Sequence, residues 1–288
     1  MLTQIGIGFL WLIHLLPLRV IGWIGAAAGV ALFALGRGRV TLINLKACFP
    51  ELSESARKKL ARRHFIAVGR SFLELGILCW SSKERINTII RAENAEYFSQ
   101  AGDRPVILLA PHFVGLEMGG ARLAIDLRSA TLYSRQKNAA LEALVVRTRT
   151  RFGNVALFPR QEGLRGAIRA IRDKRAFYFL PDQDFGSRDS IFVPFFAVPA
   201  ATAPILSRLS KLTGALVIPC VTRQLSGGAG YVMRFYPAWK DFPSADPAAD
   251  TRRMNEFIED RVREMPEQYL WIHKRFKTRP PGEADFYA

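Results

Sequence analysis

His112 and Glu117 lie in the stretch Leu108-Leu109-Ala110-Pro111-His112-Phe113-Val114-Gly115-Leu116-Glu117-Met118-Gly119-Gly120. An imidazole can take a proton near neutral pH, and a carboxylate on its other nitrogen fixes the tautomer and steadies the imidazolium. Together they are what general-base activation of a hydroxyl for acyl transfer requires. On a regular helix the five-position step turns about 140°, so two helical residues at 112 and 117 would not share a face. The pair meets only if His112 occupies the turn ahead of a helix and Glu117 its first turns, with the carboxylate reaching back to the ring. Pro111 permits that turn. Gly115, Gly119 and Gly120 allow close backbone approach, and free amides at the helix start, with Gly115 at its entry, can hold an oxyanion. The competing reading is a capping histidine with an unrelated surface glutamate, and in this context the two stand about even.

The elements that must position the pair follow from apolar periodicity. Strand-like runs at 106–110, 130–133, 176–180 and 215–221 alternate with helix-like runs at 115–127, 138–152, 162–173 and 203–213. That alternation predicts an α/β fold with a mainly parallel central sheet flanked by helices. Residues 53–80 read as an amphipathic helix or two, starting at the cap-like Ser53 with Glu54 in the first turn. Gly227-Gly228-Ala229-Gly230 ahead of Tyr231 to Tyr236 reads as a hairpin turn and an antiparallel strand, and 247–264 as a closing helix. At 288 residues the chain suits one α/β domain with appendages.

Two further clusters bear on chemistry. Pro181-Asp182-Gln183-Asp184-Phe185-Gly186 follows the strand-like Phe177 to Leu180. Loops at the carboxyl ends of parallel strands build sites in α/β sheets, so Asp182 and Asp184 are expected to face the same crevice as His112. The run Ile191-Phe192-Val193-Pro194-Phe195-Phe196 reads as a wall of a lipid channel or, equally, as a core segment. In 162–173, Leu164, Ile168 and Ile171 form one stripe beside Arg165, Arg169 and Arg172, which suits a lipid headgroup surface or a solvated basic face. Arg160 sits just ahead, a guanidinium placed to clamp a phosphate or a carbonyl. His14 reads as interfacial or packed, His64 as surface, and His273 as structural or headgroup-facing. Their neighbours give no metal-ligand spacing, and no metal is expected.

Charge and hydropathy set the partners. Forty-one Lys plus Arg against 25 Asp plus Glu leave a net charge of +16, which seeks anionic partners. Residues 1–36 carry one charged side chain, Arg19, and read as a hydrophobic membrane anchor distinct from a body at 37–288. Ile5 to Leu35 exceeds the roughly 20 residues a bilayer crossing needs. A single tilted or kinked span is preferred over a hairpin in one leaflet. Arg37 to Arg70 holds nine Lys or Arg against Glu51 and Glu54. The positive-inside rule then puts the body on the cytoplasmic side. Three scattered cysteines, Cys48, Cys79 and Cys220, argue for a reducing compartment and no disulfide framework.

In this order the motifs resemble the late acyltransferases of lipid A biosynthesis, within the larger lysophospholipid acyltransferase superfamily. The resemblance runs nearly the whole length: the N-terminal anchor, Ala110-Pro111-His112 with Glu117, Tyr133-Ser134-Arg135-Gln136-Lys137-Asn138, Arg160, the Pro181 to Gly186 loop, Phe192 to Phe196, and Trp271 to Pro280. A Tyr-Arg-Pro element common in relatives is Tyr133-Ser134-Arg135 here. The resemblance implies direct transfer of an acyl chain from acyl carrier protein, the co-substrate, to a hydroxyl of an anionic, Kdo-bearing lipid A precursor at the bacterial inner membrane. No other cofactor and no serine or cysteine nucleophile are needed. His112 would be the base, Glu117 its partner, and Arg160, Asp182, Arg135 and Gly115 substrate-binding or oxyanion residues. The alternatives are an acyltransferase for another phospholipid or hydroxylated lipid, and a membrane-tethered binder of anionic lipid or nucleic acid. The chain lacks the motifs of nucleic-acid readers, so no nucleic-acid partner is expected.

Overall fold

Short strand-length runs, most of them separated by helix-length segments, become a seven-stranded sheet with helices on both faces. The computed structural model describes residues 2–288. In chain order the elements are α1 (Leu2–Ile13), α2 (Leu18–Leu32), α3 (Arg39–Cys48), α4 (Glu54–Trp80), α5 (Lys83–Ile89), β1 (Ile90–Glu93), α6 (Glu96–Ser99), β2 (Val106–Leu109), α7 (Leu116–Asp126) and β3 (Ser129–Tyr133). They continue with α8 (Ala139–Thr150), β4 (Val155–Pro159), α9 (Arg165–Arg172), β5 (Ala176–Phe179), β6 (Ile191–Phe195), β7 (Val198–Thr202), α10 (Ile205–Thr213), β8 (Leu216–Gln224), β9 (Tyr231–Phe235) and α11 (Pro247–Glu264). The sheet order is β1-β9-β8-β2-β5-β3-β4, with β8 and β9 antiparallel and every other pair parallel. This is the α/β architecture the periodicity predicts.

Strand geometry divides the core in two, because successive side chains point to opposite faces. Ile107, Leu109, Phe177, Phe179 and Val217 pack with α9, α10 and α11. Val106, Leu108, Ala176, Tyr178 and Ile218 pack with α7, the second half of α4, and Ile13 and Ile21 from the N-terminal helices. Strands covered on both faces are near-continuous apolar runs, which is why they stand out in the sequence.

The N-terminal apolar run, expected as a single anchor, folds as two helices broken around Pro17. Pro17 has no backbone N–H to continue the first helix. His14 at this break is buried, its ring 5.5 Å from that of Trp80. Leu18–Arg37 is long and apolar enough to cross a bilayer. Yet α2 is seated backbone to backbone on α4. A Cβ at Gly29 would fall 2.0 Å from the Phe65 carbonyl oxygen, and one at Gly69 2.2 Å from that of Gly25. Trp11 and Trp23 remain exposed on these helices, as do Leu15 in the turn between them and Leu35 just after α2.

Ser53 caps α4 by accepting from the Ala56 amide at 3.2 Å, and the helix runs unbroken to Trp80. Sequence periodicity does not reveal β1, α5, α6 or β4. β1 is a four-residue edge strand, and β4 is half-buried along its whole length and ends in Pro159, so neither shows a sharp pattern. Ile191 to Phe195 is not a channel wall. It forms an antiparallel hairpin with β7, and Phe195 packs fully buried against Tyr269 and Phe276. His64, expected at the surface, is fully buried.

Candidate active site

Two neighbouring parallel strands in register end in chemically different residues. β2 and β5 pair Ile107 with Phe177, Leu108 with Tyr178 and Leu109 with Phe179, and the Ala110 amide continues the ladder to the Phe179 carbonyl at 2.9 Å. The same register carried past both strand ends sets Pro111 beside Pro181 and His112 beside Asp182. The His112 backbone amide donates to both Asp182 carboxylate oxygens, at 3.2 and 3.0 Å, and the ring Nδ1 lies 2.7 Å from Oδ1. An ionised carboxylate only accepts, so Nδ1 carries the proton and Nε2 keeps a free lone pair. Burial opposes ionisation of Asp182, but the His112 charge and hydrogen bonds override it and hold the carboxyl below its ordinary range.

The expectation that Glu117 reaches back to the His112 ring is corrected by this geometry. Glu117 does stand in the first turn of α7, and His112 in the turn before it, as the spacing requires. Its carboxylate, however, is taken by Arg149 of α8, which lies 3.3 Å from Oε2 through Nε and contacts Oε1 through Nη2. The Glu117 charge raises the Arg149 pKa above its usual value. Arg149 escaped sequence reading because nothing local links position 149 to 117. If the pair acts as one unit, Glu117→Gln and Arg149→Ala should each lower kcat on the order of 10²-fold. The double variant should lose little more than either, and additive losses in steady-state assays would refute the coupling.

The loop carrying His112 is clamped from the C-terminal side. Leu270 donates to the His112 carbonyl at 3.0 Å and Val114 to the Gln268 carbonyl at 2.8 Å, forming an antiparallel bridge. One residue earlier, the Glu267 carbonyl accepts from His64 Nδ1 at 3.0 Å, while His64 Nε2 is buried without a partner among the described residues. Burial depresses the His64 pKa to about 4. The unfolded chain therefore binds a proton first as pH falls below the ordinary histidine value. Stability is complete above about pH 6.5 and erodes towards pH 4, by roughly 3 kcal/mol from this residue. Thermal midpoints between pH 7 and 5 should fall more steeply for the native chain than for His64→Gln. Equal slopes would refute this.

Asp184, expected in the same crevice, instead ties down the tail. It accepts from the Thr278 amide and hydroxyl, both at 2.8 Å, and from the Gly186 amide at 2.9 Å. Its own amide donates to His273 Nε2 at 3.2 Å, and burial lowers the His273 pKa to about 4, so that ring is a neutral structural acceptor.

His112 opens onto a cavity of about 860 Å³ that passes over the ends of β5, β3 and β4. Glu117 and Arg149 line it near an apolar arm walled by Leu78, Ala121, Ala124 and Val145. Arg160 and Arg208 line it too, with the Arg160 guanidinium 4.6 Å above the Phe185 ring. Asp182 is behind His112 rather than in the cavity wall. Arg135 pairs with Glu162 at the surface, both more than half exposed, and is not part of the lining. Gly115 is also outside it. A Cβ there would fall 2.6 Å from the Thr222 carbonyl oxygen, so the close approach fits α7 against β8. All three cysteines are buried outside the cavity wall, and burial pushes the Cys48 and Cys220 thiols upward. The site can thus take a proton from a hydroxyl at one nitrogen, beside a largely apolar cavity.

Known proteins similar in sequence to this chain are named as acyltransferases. The family described as bacterial lipid A biosynthesis acyltransferase matches residues 1–278. The lipid A biosynthesis lauroyltransferase of Escherichia coli (strain K12) is 34% identical over 99% of this chain and 94% of its own length. The palmitoleoyltransferase of the same organism is 33% identical over 99% and 94%, and its myristoyltransferase 32% over 86% and 78%. Among solved structures, the 1-acyl-sn-glycerophosphate acyltransferase of Thermotoga maritima is similar over 86% of this chain and 95% of that one, at 14% identity and a TM-score of 0.39. The chain belongs to the bacterial lipid A biosynthesis acyltransferase family.

Proposed function

We propose that the protein moves a fatty acyl chain from acyl carrier protein to a hydroxyl of a Kdo-bearing lipid A precursor, using His112 as general base. The observation that carries this reading is the His112–Asp182 pair: a ring whose tautomer is fixed by a buried carboxylate at 2.7 Å, opening onto a cavity with an apolar arm. In the forward step Nε2 takes the proton of the acceptor hydroxyl as its oxygen bonds to the thioester carbonyl carbon. The tetrahedral intermediate then collapses, the carbon–sulfur bond breaks, and the thiolate recovers the proton from the imidazolium. Asp182 steadies that imidazolium. Glu117 and Arg149 keep a paired charge in the cavity wall beside the reacting groups, and Arg160 offers a guanidinium to an anionic substrate.

Relatives named for lauroyl, palmitoleoyl and myristoyl transfer are nearly equally similar, so chain length is a property of the apolar arm rather than of family membership. The apolar N-terminal helices and the nine basic residues between Arg37 and Arg70 support a site at the cytoplasmic face of the inner membrane. The test incubates the purified chain with acyl carrier thioester and Kdo-bearing precursor. The precursor should gain the mass of one acyl chain. Gain only on another hydroxylated lipid would transfer the reading to that acceptor, and no gain on any lipid would refute it.

A further inference from the structure

Exposed apolar side chains are concentrated on one sheet face, although Leu212 of α10 is exposed on the other, next to Arg172. The face covered by α7 and the second half of α4 also carries α1 and the start of α2, with Ile5, Phe9, Trp11 and Leu12 exposed on α1, Leu15 in the turn after it and Trp23 on α2. Those side chains suit a bilayer. The opposite face carries α9, whose Ala167, Ala170 and Ile171 point into the core. Outward, Arg165, Arg169 and Arg172 are exposed around the half-buried Ile168, and Asp173 closes the groove they form.

Of the nearby carboxylates, Glu162 is engaged by Arg135 and Asp103 by Lys174, which leaves Asp173 as the one acidic side chain lining the groove, against three arginines. Among the described residues, Arg165, Arg169 and Arg172 have no ion-pair partner, and Arg172 is steadied by donating to the Leu212 carbonyl at 3.0 Å. Lys211 of α10, next in sequence to the Leu212 that Arg172 bonds, is exposed. Leu164, immediately before α9, and Arg208 of α10 both line the active cavity, so the two helices that carry the basic surface also reach the cavity wall.

A headgroup role for this stripe, one of the two sequence expectations, conflicts with the architecture. Helix and sheet layers are each about 10 Å apart, which puts α9 roughly 20 Å across the sheet from the helix layer bearing the apolar side chains. Charges decouple beyond about 8 Å at physiological salt. The stripe is thus turned towards a soluble anionic partner.

We propose that α9, with Lys211, is the docking surface for the acidic carrier protein that delivers the acyl thioester. The donor then enters from the sheet face opposite the membrane, and the lipid acceptor from the membrane side. Ile168 supplies an apolar contact at the centre of the patch, and the arginines supply charge complementarity and orientation. This inference rests on the donor assigned above.

The test is the full-length triple variant Arg165→Glu/Arg169→Glu/Arg172→Glu, with the triple alanine variant as a milder version. Each is assayed with acyl carrier thioester, with a carrier-free acyl-N-acetylcysteamine thioester, and for sedimentation with phosphatidylglycerol-containing vesicles. For the charge reversal, KM for the carrier-bound donor should rise at least tenfold with kcat little changed, while carrier-free turnover and vesicle binding stay at native levels. The alanine variant should move in the same direction by less. An unchanged KM for the carrier donor, an equal loss with both donors, or loss of vesicle binding would each overturn the docking surface. A native chain that consumes only the carrier-free thioester would refute the donor assignment itself, which separates that failure from the others.

Discussion

His112→Ala is expected to lower acyl transfer by about 10³-fold or more, in the range general-base catalysis supplies, without loss of fold or membrane association. The ring is the one cavity-lining group among those described that has a lone pair fixed for proton uptake, because Asp182 holds the proton on Nδ1. Its backbone supports survive the substitution. The His112 amide still donates to both Asp182 oxygens and the His112 carbonyl still accepts from Leu270. Asp182 therefore keeps backbone partners and is not left as a bare buried charge, whose cost would otherwise confuse a catalytic loss with a folding one. Transfer measured by mass gain on the lipid should collapse while the thermal midpoint shifts by only a few degrees. Retention of transfer within tenfold of the native rate would sink the mechanism.

Much of this site is legible in the sequence because its pieces lie at the ends of buried strands. Leu108-Leu109-Ala110-Pro111-His112 and Phe179-Leu180-Pro181-Asp182 each read as an apolar run, a proline and a polar residue. That places both residues in loops at the carboxyl ends of parallel strands. The pairing itself is not legible, because it is set by strand order. The chain passes through β3 and β4 before β5 slots between β2 and β3, and only that insertion makes Asp182 the neighbour of His112. Periodicity supplies strands and helices but not which strands are adjacent.

Local spacing misleads for a related reason. The H-x4-E pattern correctly places His112 before α7 and Glu117 in its first turn, yet closeness in sequence does not decide where a carboxylate points. Arg149, arriving on α8, offers Glu117 a charged partner, and the ring already has one. The N-terminal apolar run shows the same division between composition and geometry. Hydropathy finds the apolar segment, while the crossing of α2 over α4 at Gly25, Gly29 and Gly69 depends on backbone approach that hydropathy does not encode.

Asp182→Asn provides the sharper separation of roles, because it changes charge and hydrogen-bonding type at nearly constant shape. Oδ1 accepts from both the ring and the His112 amide, and Oδ2 from the same amide. An asparagine with its oxygen at the Oδ1 position turns its NH2 towards the His112 N–H, donor against donor. Flipped, it satisfies that amide but donates to Nδ1, moving the ring proton to Nε2, the nitrogen that must accept from the substrate. Either arrangement also removes the negative charge that steadies the imidazolium. The expected loss in kcat is about 10²- to 10⁴-fold, the scale seen when a base is held in the wrong tautomer, with KM for the acceptor little changed. Nitrogen-15 shifts of the His112 ring should report the proton on Nδ1 in the native chain and a shift towards Nε2–H in the variant. Since Asp182 acts through His112, Asp182→Asn on a His112→Ala background should cost almost nothing further. A native-like rate in Asp182→Asn, or additive losses in the double variant, would show that the buried carboxylate is not the partner that tunes the base.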